Sequence, residues 1–127
     1  MKLYFVPGVL LAISSSCWAM SLREAGENLL YFEHAKTTSE HCERQIASVR
    51  SAYEMWLRDN SALYAETVGT IRRNAEQGGL SKAEQEAVLR EAIGNQRALA
   101  QEHIAKKGVN CQRFSASLQM YSSLLKR

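Results

Sequence analysis

Three histidines are the residues of this 127-residue chain best suited to bind a metal ion or to transfer a proton. They are His34, His41 and His103, and each has a glutamate beside it. Two metal ligands on one helix are normally three or four residues apart, whereas His34 and His41 are seven apart and are expected on different helices. We therefore expect no metal site near Glu33, Glu40 and Glu43, and no cofactor.

No catalytic arrangement is recognisable among the other reactive side chains. Acid catalysis by paired carboxylates requires one of them to be buried, and the glutamates are expected on polar helix faces beside Lys or Arg. The serines fit helix caps and surfaces rather than a nucleophile turn. His41 and Cys42 are adjacent, but successive helical residues point about 100° apart, so the imidazole would not reach the thiol. The sequence thus predicts a protein that is not an enzyme.

The first 19 residues have the pattern of a secretory signal peptide. Lys2 precedes an apolar run from residue 3 to 13, which is followed by three serines and the small-x-small pattern Cys17-Trp18-Ala19. We expect cleavage after Ala19, which leaves residues 20–127 as a single helical domain. Lipidation of Cys17 is the alternative, but Ser14 stands where a lipoprotein signal has an apolar residue. An apolar run of about ten residues is also too short to span a bilayer.

The charge of the mature chain indicates no nucleic-acid or membrane partner. Cleavage would remove only Lys2, leaving 15 basic against 13 acidic residues, a net charge of +2. The basic residues are interspersed with glutamates instead of forming one patch, which is typical of a solvated surface.

Two cysteines, Cys42 and Cys111, remain after cleavage of the signal. In an oxidising compartment an even number of cysteines indicates a disulfide, so we expect these two to be joined. The protein is accordingly expected in the periplasm or outside the cell.

Composition and spacing indicate an all-α fold from Ser21 onward. Residues 21–24 and 81–84 both have the pattern of a helix capping box, and residues 37–40 offer caps for a second helix running from about Ser39 to Gln77. That helix is either continuous, with a bend near Asn60, or divided into 39–59 and 61–77. Apolar residues spaced three or four apart mark four stripes: Leu22, Ala25, Leu29 and Phe32; Cys42, Ile46, Val49, Tyr53 and Trp56, continued by Tyr64, Val68, Ile71 and Ala75; Val88, Ala92 and Leu99; and Cys111, Phe114, Leu118, Tyr121 and Leu125.

The expected disulfide restricts the topology of these helices. If Cys42 and Cys111 each lie in the first turn of a helix, the two helices must begin at the same end of the molecule. A chain reversal at Asn60 would place those ends more than about 25 Å apart, whereas the Cα atoms of a cystine are about 4.4 to 6.8 Å apart. We therefore predict an up-down bundle of about four helices with a long second helix.

Two groups of side chains are predicted to form exposed apolar surface, where a protein partner would bind. Leu30 and Tyr31 lie off the stripe of the first helix, and Met55 and Leu57 flank Trp56, with Arg58 next. The competing interpretation is that Tyr31 packs on a neighbouring helix and Arg58 pairs with Glu54.

The function expected from these observations is binding of another protein by an exported, non-enzymatic helical domain. An immunity protein or another inhibitor is one concrete form of this function. A pilotin-like secretion factor or an envelope chaperone is the alternative within the same class. A carrier of a small ligand or metal in the bundle interior is the alternative from a different class, although few polar residues interrupt the stripes.

Overall fold

The computed structural model describes residues 19–127. The predicted signal peptide and the alternative of lipidation at Cys17 therefore fall outside the described residues. Within residues 19–127 the fold consists of helices and has no strand, which confirms the all-α prediction. None of the helices described is long and apolar enough to cross a membrane.

The first helix, α1, spans Leu22–Cys42 and is longer than the sequence predicts. It begins at the expected capping box, in which the Ser21 hydroxyl accepts from the Glu24 amide and the Glu24 carboxylate accepts from the Ser21 amide, each at 3.1 Å. The prediction that residues 37–40 cap a new helix is wrong. Thr37, Thr38 and Ser39 are buried within α1, and tertiary packing there outweighs their intrinsic preference for helix caps.

The predicted second helix is divided into α2, Ser48–Asp59, and α3, Ser61–Gln77. It starts at Ser48 instead of Ser39, after a short connection. The division falls at Asn60, where the bend was expected. Helical hydrogen bonds continue across it, because the Asn60 amide donates to the Trp56 carbonyl at 3.1 Å and the Tyr64 amide donates to the Asn60 carbonyl at 2.9 Å. Helices α2 and α3 therefore form one helical segment with a bend at Asn60.

Two further helices complete the fold. Helix α4, Lys82–Lys107, starts at the second predicted capping box, and it continues without interruption past Gly94 to Gly108. A 3-10 turn at Cys111–Arg113 leads into α5, Phe114–Leu124. The buried face of α4 is rotated from the prediction, because Leu89 and Ala100 are buried whereas Val88 and Leu99 are exposed.

Helix α1 lies at the centre of the bundle and packs against each of the other helices. Asn28 of α1 contacts Thr67 of α3, and Arg72 of α3 pairs with Glu86 of α4 at 2.7 Å. These contacts place the α2–α3 segment antiparallel to α1, and α4 antiparallel to that segment. Helix α5 runs antiparallel to α1, because its two ends meet opposite ends of that helix. The result is the predicted up-down bundle of four helical segments, which are α1, α2–α3, α4 and α5.

The disulfide between Cys42 and Cys111 confirms the predicted pairing, with a Cα–Cα distance of 5.3 Å. The prediction that Cys42 lies in the first turn of the second helix is wrong, however, because Cys42 is the last residue of α1. The conclusion still holds. The end of α1 and the start of α5 are at the same end of the bundle.

One carboxylate departs from the expected surface positions. Glu33 is only 3% exposed, although the sequence analysis places all glutamates on polar faces. Its Oε2 atom has no hydrogen-bond partner among the described residues, and the same is true of the Thr37 hydroxyl and Gln96 Oε1. Burial raises the pKa of Glu33, and the nearby cations Lys36 and Arg97 oppose that rise. The core therefore contains a polar group that costs stability when it is ionised.

Candidate functional site: a cleft between α4 and α5

A cleft of about 430 Å³ opens between the end of α4 and helix α5. It exists because α4 and α5 each pack against α1 but share no comparable interface with one another. Helix α1 therefore forms its floor. The cleft is lined by His34 and Thr38 of α1, His103 and Ile104 of α4, the connecting residues Gly108, Val109 and Asn110, and Arg113, Ala116, Ser117, Met120 and Tyr121.

Two local features hold the connection at the closed end of the cleft. Gly108 has a φ of 72°, a conformation that favours glycine, and its amide donates to the Ile104 carbonyl at 2.9 Å, which ends α4. Asn110 then accepts a hydrogen bond from the Gln112 amide at 3.2 Å and so starts the turn that carries Cys111. The disulfide fixes this turn to α1, so the floor and the α5 wall are covalently linked.

Two imidazoles meet inside the cleft. The ring centroids of His34 and His103 are 5.5 Å apart in an edge-to-face arrangement, and the Tyr121 ring is 6.2 Å from His34. Burial lowers the pKa of His34, and the neighbouring His103 lowers it further. Burial also raises the pKa of the Tyr121 hydroxyl, so this ring is a neutral neighbour at physiological pH. At neutral pH the floor of the cleft therefore favours uncharged imidazole at His34.

The side of the cleft formed by α5 and the turn before it carries exposed apolar surface and one permanent cation. Met120 of α5 is 51% exposed, and Arg113, in the turn that precedes α5, also lines the cleft. No aspartate or glutamate is among the lining residues. The cleft thus combines apolar surface with positive charge.

Exposed apolar surface extends beyond the cleft along both walls. Leu99 is four residues before His103 on α4, and Leu124 is four residues after Met120 on α5, so each lies on the same helix face one turn away. They are 52% and 38% exposed. Since α4 and α5 run in opposite directions, both extensions point toward the same part of α1, which carries Leu30 and Tyr31.

The two predicted partner surfaces have different positions in the structure. Leu30 and Tyr31 are partly buried, and Tyr31 packs against the core with its ring 6.4 Å from that of Tyr121. The competing interpretation that Tyr31 packs on a neighbouring helix is therefore confirmed. Tyr31 therefore contacts Tyr121, which lines the cleft, but does not line the cleft itself.

The other predicted surface is on α2. Met55 is 55% exposed and Arg58 is exposed, whereas Leu57 is partly buried against the core. The competing interpretation that Arg58 pairs with Glu54 is wrong, because Glu54 pairs with Arg50 at 3.1 Å. Met55 and Arg58 remain accessible, but they contribute nothing to the lining of the cleft.

The sequence does not predict the cleft, because nothing in it indicates that His34 of α1 and His103 of α4 are neighbours. A usable signal was present on the last helix, where Met120 and Leu124 are apolar residues outside the buried stripe.

The three histidines do not share one site. His34 pairs with His103, whereas His41 lies beside Glu40 and Arg44 in a separate depression. Nowhere in residues 19–127 do three or more His, Cys, Asp or Glu side chains gather in a way that could hold a metal ion.

Comparison with known proteins gives no relative from which a role could be transferred. No family model matches the chain, and no curated protein or solved structure matches it.

Proposed function

We propose that this chain is an exported, non-enzymatic protein that binds another protein, and that it holds an apolar segment of that partner in the cleft between α4 and α5. The observation that carries the proposal is the exposure of Met120 on the wall of a groove whose floor is a packed helix, with the exposed Leu124 and Leu99 one helical turn beyond the groove. Apolar surface that lines a groove is typical of binding sites, whereas isolated exposed apolar residues are not informative.

A helix is the partner segment that fits this groove best. Helices α4 and α5 flank α1 without packing on one another, so a further helix between them would contact all three. Amphipathic helices commonly bind in this way, with apolar residues at helical spacing facing the groove. The disulfide supports the exported location, because such bonds persist in oxidising compartments.

A photo-crosslinking experiment in the producing cell tests the proposal. A benzophenone amino acid is placed at Met120, within the cleft, and at Gln77, which is exposed at the end of α3. We expect irradiation to join one protein to the Met120 variant and not to the Gln77 variant. The substitution Leu124→Glu, one helical turn beyond Met120, should abolish that crosslink, because binding of the partner would bury an unpaired carboxylate.

Crosslinking from Met55 tests the predicted α2 surface in the same experiment. A specific product from Met55, with none from Met120, would contradict the cleft and assign the interface to α2. The identity of the crosslinked protein then separates the forms of the proposal: a toxin supports an immunity-type inhibitor, a secretion component supports a pilotin-like factor, and many unfolded clients support a chaperone.

A further inference from the structure

The charges around the cleft have one sign. Its lining contains Arg113 and the two imidazoles of His34 and His103, but no carboxylate. In addition, no ion pair within residues 19–127 links either imidazole to an acidic side chain. His34 is partly buried, whereas His103 and Arg113 are exposed, so an anion that enters the cleft meets potential cations and no acidic side chain.

The His34–His103 pair shows which ligand would complete the group. With the rings 5.5 Å apart, charging both imidazoles is opposed by their mutual repulsion and by the half-buried position of His34. An anion bound beside this edge-to-face pair offsets both effects, because it favours the charged rings. Proton uptake by the pair and binding of an anion therefore favour each other.

The titratable groups that line the cleft with His34 are His103 from α4, Tyr121 from α5 and Arg113 from the 3-10 turn that precedes α5. The connecting residues 108–110 and Thr38 carry no ionisable side chain, and α2 and α3 contribute no residue to the lining.

We infer that the cleft recognises an acidic side chain of the partner segment, whose carboxylate binds beside the edge-to-face pair of His34 and His103, in the cleft that Arg113 also lines. Apolar neighbours of that acidic residue contact Met120 and Ile104. The inference rests on the proposed function for the statement that the ligand is a protein, but the carboxylate subsite itself belongs to this chain alone. A consequence is tighter binding at mildly acidic pH than at pH 8.

Acetate is a suitable probe of the subsite because it presents a carboxylate without any partner protein. The imidazole C–H signals of the purified full-length protein are followed by NMR through a pH titration, once in 100 mM sodium acetate and once in sodium chloride of equal ionic strength. We expect acetate to raise the pKa of His34 by about half a unit, because the anion favours the charged ring. The exposed His41 is an internal control, and its signals should be the same in the two salts.

Two variants and two other ions test whether the effect of acetate is specific to this cleft. Arg113→Gln should remove most of the effect of acetate, whereas Arg90→Gln, an exposed position on α4, should leave it unchanged. A His34 titration that is the same in acetate and chloride would overturn the inference, as would a response to phosphate without one to acetate. Broadening of both histidine signals by micromolar Zn²⁺ would instead assign the pair to a metal.

The outcomes of the two experiments are independent. The acetate titration contains no partner, so its failure removes the carboxylate subsite and leaves the Met120 crosslink to decide on protein binding. Conversely, an acetate-sensitive His34 without any crosslink would retain the subsite and contradict a protein as its ligand.

Discussion

The side-chain amide of Asn28 pairs with both backbone polar groups of Lys126. Asn28 Nδ2 donates to the Lys126 carbonyl at 2.8 Å, and the Lys126 amide donates to Asn28 Oδ1 at 2.7 Å. The two residues are 98 positions apart, and Asn28 is completely buried. Arg127 extends the connection, because its guanidinium donates to Asn60 Oδ1 at 3.2 Å. The end of the chain is thus fixed both to α1 and to the bend between α2 and α3.

Asn28→Ala is expected to lower the free energy of unfolding by about 2 kcal/mol. It removes the hydrogen bonds to both backbone groups of Lys126 and the one to Thr67, and it leaves a cavity at this buried site. Chemical denaturation followed by Trp56 fluorescence measures the change, since Trp18 lies in the predicted signal peptide. Asn95→Ala, at an exposed position on α4, is the matched control and should change stability little. Equal effects of the two substitutions would contradict a structural role of the Asn28–Lys126 pair.

Glu33→Gln is expected to stabilise the protein at neutral pH and to flatten its dependence on pH. Because burial raises the pKa of Glu33 in the folded state, the wild-type protein is most favoured below the ordinary pKa of 4.5 and loses this stability as pH rises through the folded-state value. Glutamine keeps the shape of the side chain but has no charge. Urea unfolding midpoints from pH 4 to pH 8 give the comparison.

The exposed Glu91→Gln serves as the control for that series. Its midpoints should follow the wild-type protein at every pH. A Glu33→Gln variant that is less stable than wild type at pH 7 would show that the ionised carboxylate, held by Lys36 and Arg97, is the favoured form.

Ser122→Ala is expected to destabilise the core by about 1 to 2 kcal/mol. The Trp56 indole N–H donates to the Ser122 hydroxyl at 2.8 Å, and the substitution leaves this buried donor without its acceptor. A lower denaturation midpoint together with a shifted Trp56 emission maximum is the expected result. Ser123→Ala, at the adjacent exposed position, should leave the emission maximum in place. An unchanged midpoint for Ser122→Ala would show that another group satisfies the indole.

Replacement of both Cys42 and Cys111 by serine is expected to cost roughly 4 kcal/mol, because the bond closes a long loop in the unfolded chain. Thermal unfolding by circular dichroism measures the loss. Thiol titration of the denatured, unreduced wild-type protein should find no free thiol at these two residues. A thermal midpoint unaffected by the substitution would contradict a stabilising role.

The periodicity of apolar residues predicts most of the fold because these residues occupy the interior of the helices that carry them. Ala25, Leu29 and Phe32 on α1, and Phe114 and Leu118 on α5, are buried as expected. The prediction places the boundary between the first two helices too early, near Ser39. The reason is that the apolar residues Cys42, Ile46 and Val49 keep helical spacing across the connection between α1 and α2. The N-cap residue of α2, Ala47, makes no side-chain hydrogen bond, so the beginning of this helix has no local signal.

The candidate site is less predictable than the fold because it depends on a contact that does not form. The sequence shows stripes that bury helices against one another, but it does not show that α4 and α5 leave a gap between them. His34 and His103 are 69 residues apart, and their proximity follows only from the parallel packing of α4 on α1. Glu33 was misplaced for a similar reason, since its charged side chain suggests a surface position that the packing of α1 does not provide.

The bond between Cys42 and Cys111 makes the protein a covalent ring with two tails. Helices α2, α3 and α4 belong to the ring, whereas α1 and α5 are the tails. A protease that cuts the exposed turn at Gly78 and Gly79 would open the ring, but the two halves would remain one molecule. A single cut between Cys42 and Cys111 therefore does not release a fragment, and separation requires reduction of the disulfide as well.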